Sequence, residues 1–345
     1  MCNIPLISVC ICCYNHSEFL DFCIKSIYEQ DYKNIEILIL DDGSSDNSVE
    51  VIKNLQKDSP IKITTIFQEN SGCIGANFNK LLDLASGKYV SIISADDALL
   101  PNAFSKKIEI MEKDDNVQFV INSQIQSIDE NNKYSFDVVP TMRLDKISEP
   151  CAEDILNLEF NDIHSYYLQG SVFRKSIVDA VGRFDDDMIA DDIVLRTKLA
   201  RYLQNHPQMK FVTLHEKACL YRQHTNNVSK NSFRQMKSVL QYFERYWPDR
   251  ENSKELIDWS AGFLKKEPLE KWYDFFSINK RSLSLLKEKE VLNLICKITY
   301  TDNVLIKIPF ILELNKRKNL LTRDKEVSIK IFGIKFKINY KKKRK

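Results

Sequence analysis

Glycine is scarce in this sequence, with eight residues among 345. None of them lies in residues 14–17, which directly follow the first apolar segment. Proteins that cradle phosphate groups with backbone amides need glycine in such a loop, as in the Gly-x-Gly-x-x-Gly pattern of dinucleotide-binding proteins. The sequence therefore disfavours a dinucleotide-dependent oxidoreductase. It equally disfavours a nucleotidyltransferase that makes nucleotide sugars.

Long apolar runs are also missing. The run at residues 4–13 ends at Tyr14-Asn15-His16 and is too short to cross a bilayer, and Met1-Cys2-Asn3 lacks the positive charge of a signal peptide. Processive polysaccharide synthases combine membrane spans with a Gln-x-x-Arg-Trp motif, whereas residues 241–247 read Gln-Tyr-Phe-Glu-Arg-Tyr-Trp. These absences disfavour a secreted protein and a processive membrane synthase.

No cysteine framework is visible, although the sequence contains nine cysteines, an odd number. Cys10 and Cys13 form a Cys-x-x-Cys, but residues three apart in a strand point to opposite faces. No second pair exists to complete a zinc site. We interpret the cysteines as small buried hydrophobic residues of a cytoplasmic protein.

The charge of the chain is unevenly distributed. The net charge is +2, yet residues 315–345 contain thirteen Lys or Arg residues against Asp324 and Glu326, a local balance of +11. The remainder of the chain must therefore carry −9. The sequence describes an acidic body with a basic tail.

Apolar, β-branched segments alternate with amphipathic segments over the first 230 residues or so. This spacing predicts an α/β, Rossmann-like fold with a mainly parallel sheet and helices on both faces. We predict a catalytic domain at residues 1–232, a helical region at 233–314 and a basic β tail at 315–345. The predicted strands are residues 6–12, 35–40, 61–67, 89–93, 118–122 and part of 210–220, and the predicted helices are residues 18–30, 48–56, 72–84, 103–113 and about 190–203.

Two of the predicted buried strands end in paired carboxylates. The strand at 89–93 leads into Asp96-Asp97, and the strand at 35–40 leads into Asp41-Asp42. Ligands of open α/β sheets bind outside the carboxyl ends of the strands, where a carboxylate pair can hold a divalent cation against a diphosphate. Alternatively, Asp96-Asp97 cap a helix that begins near Pro101. Asp41-Asp42 likewise suit an ordinary turn.

An ordered set of motifs makes residues 6–230, approximately, resemble the inverting glycosyltransferases of GT-A-fold family 2, which transfer a sugar from a nucleotide donor. Each motif is weak alone, whereas their order and spacing together are specific. The motifs are Ser8-Val9-Cys10-Ile11-Cys12-Cys13-Tyr14-Asn15, Leu40-Asp41-Asp42-Gly43-Ser44, Asn70-Ser71-Gly72, Ala85-Ser86-Gly87-Lys88-Tyr89, Ala95-Asp96-Asp97, Gly182-Arg183-Phe184-Asp185, Asp191-Asp192 and Tyr221-Arg222-Gln223-His224.

The resemblance implies a nucleotide-binding role for the first motifs. Tyr14, in the motif that includes Cys12 and Asn15, would stack on the base, and Asp41 and Asp42 would accept hydrogen bonds from the base or ribose. The nucleotide-binding residues implied by the resemblance are Cys12, Tyr14, Asn15, Asp41, Asp42, Asp96 and Arg222.

The remaining motifs are implied to hold the metal and perform the chemistry. Asp97 would bind Mn²⁺ or Mg²⁺, with His224 near the metal and Arg222 as a charge-assisted partner of the diphosphate. Asp191-Asp192 resemble the acidic pair of the family, and Asp192 is the candidate general base that takes the proton of the acceptor hydroxyl.

The sequence departs from the family pattern at three positions. Cys12-Cys13 replace the usual Pro-Thr, and Asn77-Phe78 stand where an Arg often precedes Asn79. Neutralisation of the diphosphate would then depend on the metal, Arg222 and His224. The acidic pair begins with Asp191 rather than Glu.

Several alternatives to the catalytic interpretation stay open. Asp191-Asp192 could serve the positive end of a helix dipole, and His224 could be a structural histidine. A degenerate glycan-binding or scaffold protein on this fold is the non-enzymatic alternative. For an enzyme, we expect a UDP-hexose or UDP-N-acetylhexosamine donor, a glycan or lipid-linked glycan acceptor, and no nucleic-acid partner.

The basic tail contains alternating apolar residues. The alternation shifts its phase at Phe332-Gly333, which predicts a turn or bulge between two short strands. The tail is either a small β element docked on the helical region or an attachment to anionic membrane at the inner face of the cytoplasmic membrane. Residues 291–314 suit lying in a membrane interface better than spanning it.

Overall fold

The computed structural model describes residues 4–135, 143–301, 312–318, 325–331 and 334–340. The chain divides into two compact units, Met1–Leu256 and Ile257–Lys345. The first unit contains an eight-stranded mixed sheet, which confirms the predicted α/β class. Its strands are β1 (Ile7–Cys13), β2 (Ile35–Asp41), β3 (Ile63–Phe67), β4 (Tyr89–Ser94), β5 (Ala98–Leu99), β6 (Val117–Asp129), β7 (Val172–Arg174) and β8 (Lys210–Gln223).

The strand order of this sheet is β3-β2-β1-β4-β7-β6-β8-β5. The first four strands of that order pair in parallel, as predicted. The mainly apolar strands β1, β2 and β4 are buried along almost their whole length, whereas β3 at the sheet edge is only partly buried. Strand β7 runs antiparallel between β4 and β6, whereas β6 and β8 are parallel. The mixed half of the sheet therefore begins at β7.

Helices cover this sheet and bury its apolar residues. Ile24 of α1 and Ile52 of α2, for example, belong to the same core as Ile11 of β1. The helices of the first unit are α1 (Leu20–Tyr28), α2 (Ser48–Asp58), α3 (Ile74–Leu84), α4 (Ser105–Lys113), α5 (Ala152–Asn161), α6 (Lys175–Ala180), α7 (Asp192–Asn205) and α8 (Ser232–Tyr246).

Strand β6 is longer than predicted. The sequence places its end at Asn122, but the strand continues to Asp129 beside β8, with irregular register. Polar residues occupy this extension, and Asn122 Nδ2 donates to the carbonyl of Glu216 at 2.9 Å across one irregularity. The sequence predicts a polar surface segment at residues 127–150, but its first residues belong to β6, and residues 136–142 lie outside the described part of the chain.

The residues after Asp96-Asp97 do not form a helix. Strand β5 follows at once and pairs with β8, with Ala98 opposite Leu220. Helix α4 begins only at Ser105, with Phe104 at its N-cap position. The interpretation of Asp96-Asp97 as helix caps is therefore wrong, and their carboxylates need another explanation.

Helix α8 lies beyond the predicted domain boundary at Ser232 yet packs on the first unit. The hydroxyl groups of Tyr242 and Thr197 are 2.6 Å apart, and Arg245 Nη1 lies 2.9 Å from Asp185 Oδ2. The compact unit consequently extends to Leu256. The extent of the catalytic domain itself stays a prediction.

The second unit contains helices followed by a small sheet. Helix α9 (Lys254–Lys266) includes the division between the units, and α10 (Leu269–Phe276), α11 (Lys280–Ser284) and α12 (Lys289–Thr301) follow. None of the described helices is long and apolar enough to cross a bilayer.

Strands β9 (Leu312–Lys318), β10 (Lys325–Ile331) and β11 (Ile334–Tyr340) form an antiparallel sheet with β10 in the centre. The two tail strands predicted on either side of Phe332-Gly333 are confirmed, with Ile331 opposite Ile334. Strand β9 was not predicted, because residues 312–314 were assigned to the helical region.

A buried ion pair joins α5 to α7 in the first unit. Arg196 Nε lies 2.6 Å from Glu159 Oε1, and Arg196 Nη2 lies 3.2 Å from Glu159 Oε2. The two side chains are 3% and 0% exposed. Arg196 Nη1 also donates to the carbonyl of Tyr166 at 2.9 Å, and the Ser165 hydroxyl donates to Glu159. The pair is therefore fully hydrogen-bonded away from water.

Removing either charge should destabilise the first unit strongly. We expect Glu159→Gln or Arg196→Met to lower the free energy of unfolding by about 3–5 kcal/mol, because each leaves a buried charge unpaired. The double variant Glu159→Gln/Arg196→Met should lose much less than the sum of the single losses, because it leaves no buried charge unpaired. Urea denaturation measures this cycle. Lys106→Ala, which removes an exposed ion pair with Glu216, is the control with a nearly unchanged midpoint. Additive losses in the cycle would contradict the coupling.

Candidate active site

The carboxyl ends of β1, β2 and β4 meet at one edge of the sheet. The parallel register aligns Cys12 of β1 with Ser94 of β4, and Cys13 with Asp41 of β2. The residues that follow these strands, including Tyr14 and Asp96, therefore emerge side by side. This edge is where an open α/β sheet binds its ligands.

Asn15 connects the loops that follow β1 and β2. Its backbone N–H donates to Ser44 Oγ at 2.8 Å, and its side-chain Oδ1 accepts from Ser45 N at 2.7 Å. Asn15 adopts φ +56°, a left-handed conformation that asparagine tolerates better than most residues. The preceding Tyr14 is 47% exposed, so its ring is available at this edge as a stacking surface.

Asp41 closes the turn after β2. Its Oδ1 accepts from Ser44 N at 2.9 Å and its Oδ2 from Ser44 Oγ at 2.5 Å. The turn interpretation of this motif thus applies to Asp41. Its predicted contact with the nucleotide stays a prediction.

Asp42 is held by the loop between β3 and α3. It accepts from Ser71 N at 2.8 Å and from Gln68 Nε2 at 2.6 Å. Burial raises the pKa of the Asp42 carboxyl, but these hydrogen bonds outweigh burial and keep its pKa below the ordinary value. Asp42 is therefore a fixed, ionised acceptor beside the Ser71 loop.

Asp96 is the centre of a cluster with two histidines. Its Oδ2 lies 3.0 Å from His224 Nε2 and 3.8 Å from His16 Nε2. One ligand atom from each of the three residues lies within 4.8 Å of the others. Asp96 Oδ1 and His16 Nδ1 are buried without a hydrogen-bond partner. Such a group of unsatisfied oxygen and nitrogen atoms suits a divalent metal ion.

Asp97, the predicted metal ligand, is buried next to this cluster. Its Oδ1 accepts from the backbone N–H of Arg222 at 2.9 Å. Burial and the charge of Asp96 raise the pKa of the Asp97 carboxyl well above its ordinary value, although the contact with Arg222 opposes them. The charge of Asp192 raises the pKa further. Asp97 and Asp192 therefore lie within electrostatic reach of each other.

The guanidinium of Arg222 binds the protein itself. Its Nε donates to the carbonyl of Asp96 at 2.6 Å, its Nη1 donates to the carbonyl of Asp129 at 2.8 Å, and it lies 4.5 Å from the Phe19 ring centroid. The side chain is completely buried. Arg222 therefore supports the Asp96 backbone, whereas its Nη2 is buried without a hydrogen-bond partner. Its predicted contact with the diphosphate stays a prediction.

His224 is fixed by the residues that follow it. Its backbone N–H donates to Asn227 Oδ1 at 2.6 Å, and Asn227 Nδ2 donates to the carbonyl of Arg222 at 3.0 Å. Its ring packs edge-on against His16, with ring centroids 5.7 Å apart. The loop thus aims the imidazole at Asp96.

Asp191 and Asp192 lie at the start of α7. The side chain of Asp191 makes no capping hydrogen bond, which weighs against the purely structural interpretation of the pair. The Asp192 side chain is 29% exposed, and its Oδ2 lies 3.6 Å from Arg196 Nη1. Burial and the charge of Asp191 raise the pKa of Asp192 to about 7, and Arg196 opposes this rise. A carboxylate with such a pKa suits proton abstraction near neutral pH.

Cys12 is the penultimate residue of β1, beside Ser94 of β4. Burial raises the pKa of its thiol well above the ordinary value, and the charges of Cys10, Asp191 and Asp42 add to this effect. The thiol is therefore uncharged, and its predicted contact with the nucleotide stays a prediction.

Three functional candidates escaped the sequence analysis: His16, Glu159 and Arg196. His16 directly follows the Tyr14-Asn15 motif, and its position after β1 could have marked it as a ligand. Arg196 is four residues after Asp192, a spacing that brings two side chains together on a helix. Nothing in the local sequence indicates that Glu159 is the partner of Arg196, because their pairing is a long-range contact.

Comparisons with known proteins show the family and the fold of the chain. The model of the family "Glycosyl transferase family 2" matches residues 8–182. A glycosyltransferase of Nostoc sp. without an assigned activity is 40% identical over 44% of this chain and 45% of its own length. The chain therefore spans about half the length of that relative. The Campylobacter jejuni GalNAc(5)-diNAcBac-PP-undecaprenol beta-1,3-glucosyltransferase is 30% identical over 67% of this chain and 70% of its own length.

Two solved structures share the fold. Residues 1–349 of Staphylococcus aureus TarS, in complex with UDP-GlcNAc, superpose with a TM-score of 0.56 at 13% identity, covering 93% of this chain and 96% of that solved chain. The mannosyltransferase PcManGT of Pyrobaculum calidifontis, in complex with GDP-Man and Mn²⁺, gives a TM-score of 0.52 at 14% identity, covering 87% and 89% of the two chains. With this fold and the match of the family model to half of its length, the chain belongs to glycosyl transferase family 2 and has the GT-A fold.

Proposed function

We propose that the protein transfers a sugar from a nucleotide-diphosphate donor to a hydroxyl of a glycan or lipid-linked glycan, with inversion at the anomeric carbon. One observation carries this proposal: the ligand atoms of Asp96, His16 and His224 lie within 4.8 Å of one another at the carboxyl edge of the sheet, where they can hold a metal ion, and Asp192 supplies a partly exposed carboxylate. A proton acceptor and a cation site at one edge are the two elements that a metal-assisted single displacement needs.

The donor is proposed to be a UDP-sugar. TarS and PcManGT are complexed with nucleotide sugars, which supports this donor class on the shared fold. The exposed Tyr14 ring offers a stacking surface for the base, and the ionised Asp42 beside it can accept the imide N–H of uracil. Cys12 and Asn15 are proposed to belong to the same nucleotide-binding region. Asp96 begins the part of the site that faces the ribose and diphosphate.

The metal is proposed to be Mn²⁺ rather than Mg²⁺. Two imidazoles and a carboxylate suit a first-row transition ion, whereas Mg²⁺ prefers oxygen ligands and retains water. Asp96, His224 and His16 would hold the ion. We retain Asp97 as a proposed further ligand because its carboxylate directly follows Asp96 in the chain. A bound ion would supply Lewis-acid stabilisation of the leaving diphosphate.

Asp192 is proposed to take the proton of the acceptor hydroxyl as the new glycosidic bond forms. Its pKa leaves a substantial ionised fraction near neutral pH, and its partial exposure gives an acceptor access to it. Arg196, held by Glu159, orients the carboxylate without neutralising it completely. Asp191 raises the basicity of its neighbour.

A lipid-linked glycan is the favoured acceptor. The Campylobacter relative is named for transfer onto an undecaprenol diphosphate-linked glycan. Transfer to such an acceptor would take place at the inner face of the cytoplasmic membrane, with this chain as a peripheral protein. A glycan-binding or scaffold protein would use the same fold without turnover of the donor.

A panel of nucleotide sugars tests this function. We expect Mn²⁺-dependent thermal stabilisation by one UDP-sugar and slow hydrolysis of that donor. Asp96→Asn and Asp97→Asn should each weaken the metal-dependent stabilisation strongly, because an amide lacks the charge that a hard cation needs. Asp114→Asn, at an exposed carboxylate after α4, is the matched control. Unchanged metal dependence in Asp97→Asn alone would remove Asp97 from the ligand set, and unchanged dependence in both variants would refute the site.

Asp192→Asn tests the general base. We expect turnover to fall by roughly 10²–10⁴ with donor affinity near that of the wild type, because only the proton transfer is lost. Wild-type turnover should rise with pH through about 7 as Asp192 loses its proton, and this limb should vanish in the variant. Steady-state kinetics over pH, with Asp191→Asn for comparison, measure the effect. An equal loss of donor affinity would place Asp192 in the donor pocket, and a larger effect at Asp191 would move the base there.

The basic tail is proposed to attach the protein to anionic membrane. Each basic residue near such a surface contributes about 1 kcal/mol at modest salt, and residues 315–345 carry a balance of +11. We expect the full-length protein to sediment with anionic vesicles, in a salt-sensitive manner, and not with neutral vesicles. A chain that ends at Asp324 should lose this binding, as should a full-length variant with the five basic residues of 341–345 replaced by Gln. Equal binding by all three proteins would show that the tail is not the anchor.

A further inference from the structure

The diphosphate of a nucleotide donor needs more positive charge than the proposed metal ion, Arg222 and Arg196 provide. A divalent ion neutralises only part of a nucleotide diphosphate. Arg222 is buried against backbone carbonyls, and Arg196 is paired with Glu159. On α3, Asn77 is buried, and its Oδ1 accepts from Gln68 Nε2 at 2.9 Å and from Ser71 Oγ at 2.9 Å. Arg222 keeps one donor, Nη2, without a partner, but its side chain is completely buried, Arg196 is paired, and Asn77 carries no charge.

Arg234 approaches the site from the first turn of α8. Its backbone N–H donates to Asn231 Oδ1 at 3.0 Å, which caps the helix and fixes the position of the residue. Its Nη2 donates to the carbonyl of Gly72 at 3.3 Å. Its Nε is buried and has no hydrogen-bond partner. The guanidinium therefore rests on the loop before α3 with donor capacity unused.

One contact and one electrostatic effect relate this guanidinium to both ends of the proposed donor site. Gly72 directly follows Ser71, which holds Asp42 on the proposed nucleotide side. At the other end, the charge of Arg234 acts on Asp191 and opposes the rise that burial causes in the pKa of that carboxyl. Arg234 thus contacts the Ser71-Gly72 segment that holds Asp42 and lies within electrostatic reach of the acidic pair. A nucleotide sugar bound with its base at the former and its sugar at the latter must place its diphosphate between them.

We propose that Arg234 binds the diphosphate of the nucleotide donor as the protein cation that assists the metal ion. This inference rests on the proposed function. A guanidinium suits the task because its planar fork donates two parallel hydrogen bonds to phosphate oxygens and stays charged at every physiological pH. The cation comes from α8, which explains why a site without an arginine before Asn79 on α3 can still neutralise the donor.

Calorimetric titration of the full-length protein, in Mn²⁺ buffer, with uridine, guanosine, UDP and GDP tests the proposal. Arg234→Gln should weaken the binding of the preferred nucleoside diphosphate about 10- to 100-fold, as expected for the loss of charge-assisted hydrogen bonds. Affinity for the matching nucleoside should not change, which also reports that the pocket is folded. Arg234→Lys should recover part of the loss, because it keeps the charge without the fork. Lys237→Gln, an exposed cation on the same helix, should bind like the wild type.

Either of two results would overturn the assignment of Arg234 and leave the proposed function standing. The first is equal affinity of Arg234→Gln and the wild type for the nucleoside diphosphate, and the second is an equal loss of affinity for the nucleoside and the nucleoside diphosphate. A wild-type protein that binds neither nucleoside diphosphate would overturn the proposed function together with it. The nucleoside titration separates these cases.

Discussion

Burial of two adjacent carboxylates at the end of β4 is the constraint on which the rest of this structure depends. Asp96 and Asp97 are 8% and 2% exposed, and such charges are costly to remove from water without partners. The partners come from the end of β8: the backbone N–H of Arg222 for Asp97, the imidazole of His224 for Asp96, and the Arg222 guanidinium for the Asp96 carbonyl. Strand β5, between the carboxylates and α4, pairs with β8 and holds that end in place.

The contacts around the two carboxylates distinguish residues that can bind a ligand from residues that support the site. Burial and the charge of Asp96 raise the pKa of Asp97, whereas the hydrogen bond from His224 and the charge of His16 outweigh burial and lower the pKa of Asp96. Without an ion, the proton of the pair is thus favoured on Asp97. In the proposed site, a divalent cation takes over the neutralisation of the pair and displaces that proton. The Nε and Nη1 groups of Arg222 support this arrangement, and we propose Arg234 as the cation that binds the phosphate groups.

The sequence predicts the parallel half of the fold and the position of the site well, for a physical reason. The strands at 6–12, 35–40 and 89–93 are mainly apolar, with Ser8, Glu36 and Ser91 as the polar exceptions, and a sheet covered on both faces is the structure that buries such strands. The candidate site residues follow directly where these strands end. The extension of β6 beyond Asn122 could not be predicted, because polar residues there pair with β8 from about ninety residues away. The direction of these side chains could not be predicted either. No local sequence pattern indicates that Arg222 points into the core, or that Arg234 contacts Gly72, which is 162 positions away in the sequence.

The central claim is that this carboxylate and histidine edge holds a metal ion together with the diphosphate of the donor. Pulsed electron paramagnetic resonance of Mn²⁺ bound to the full-length protein with UDP tests it most directly. The account predicts ¹⁴N couplings from histidine ligands and ³¹P couplings from the diphosphate on the same ion, with the ¹⁴N signal reduced in His224→Ala. An ion that shows phosphorus couplings without nitrogen couplings, or only those of water, would contradict the account.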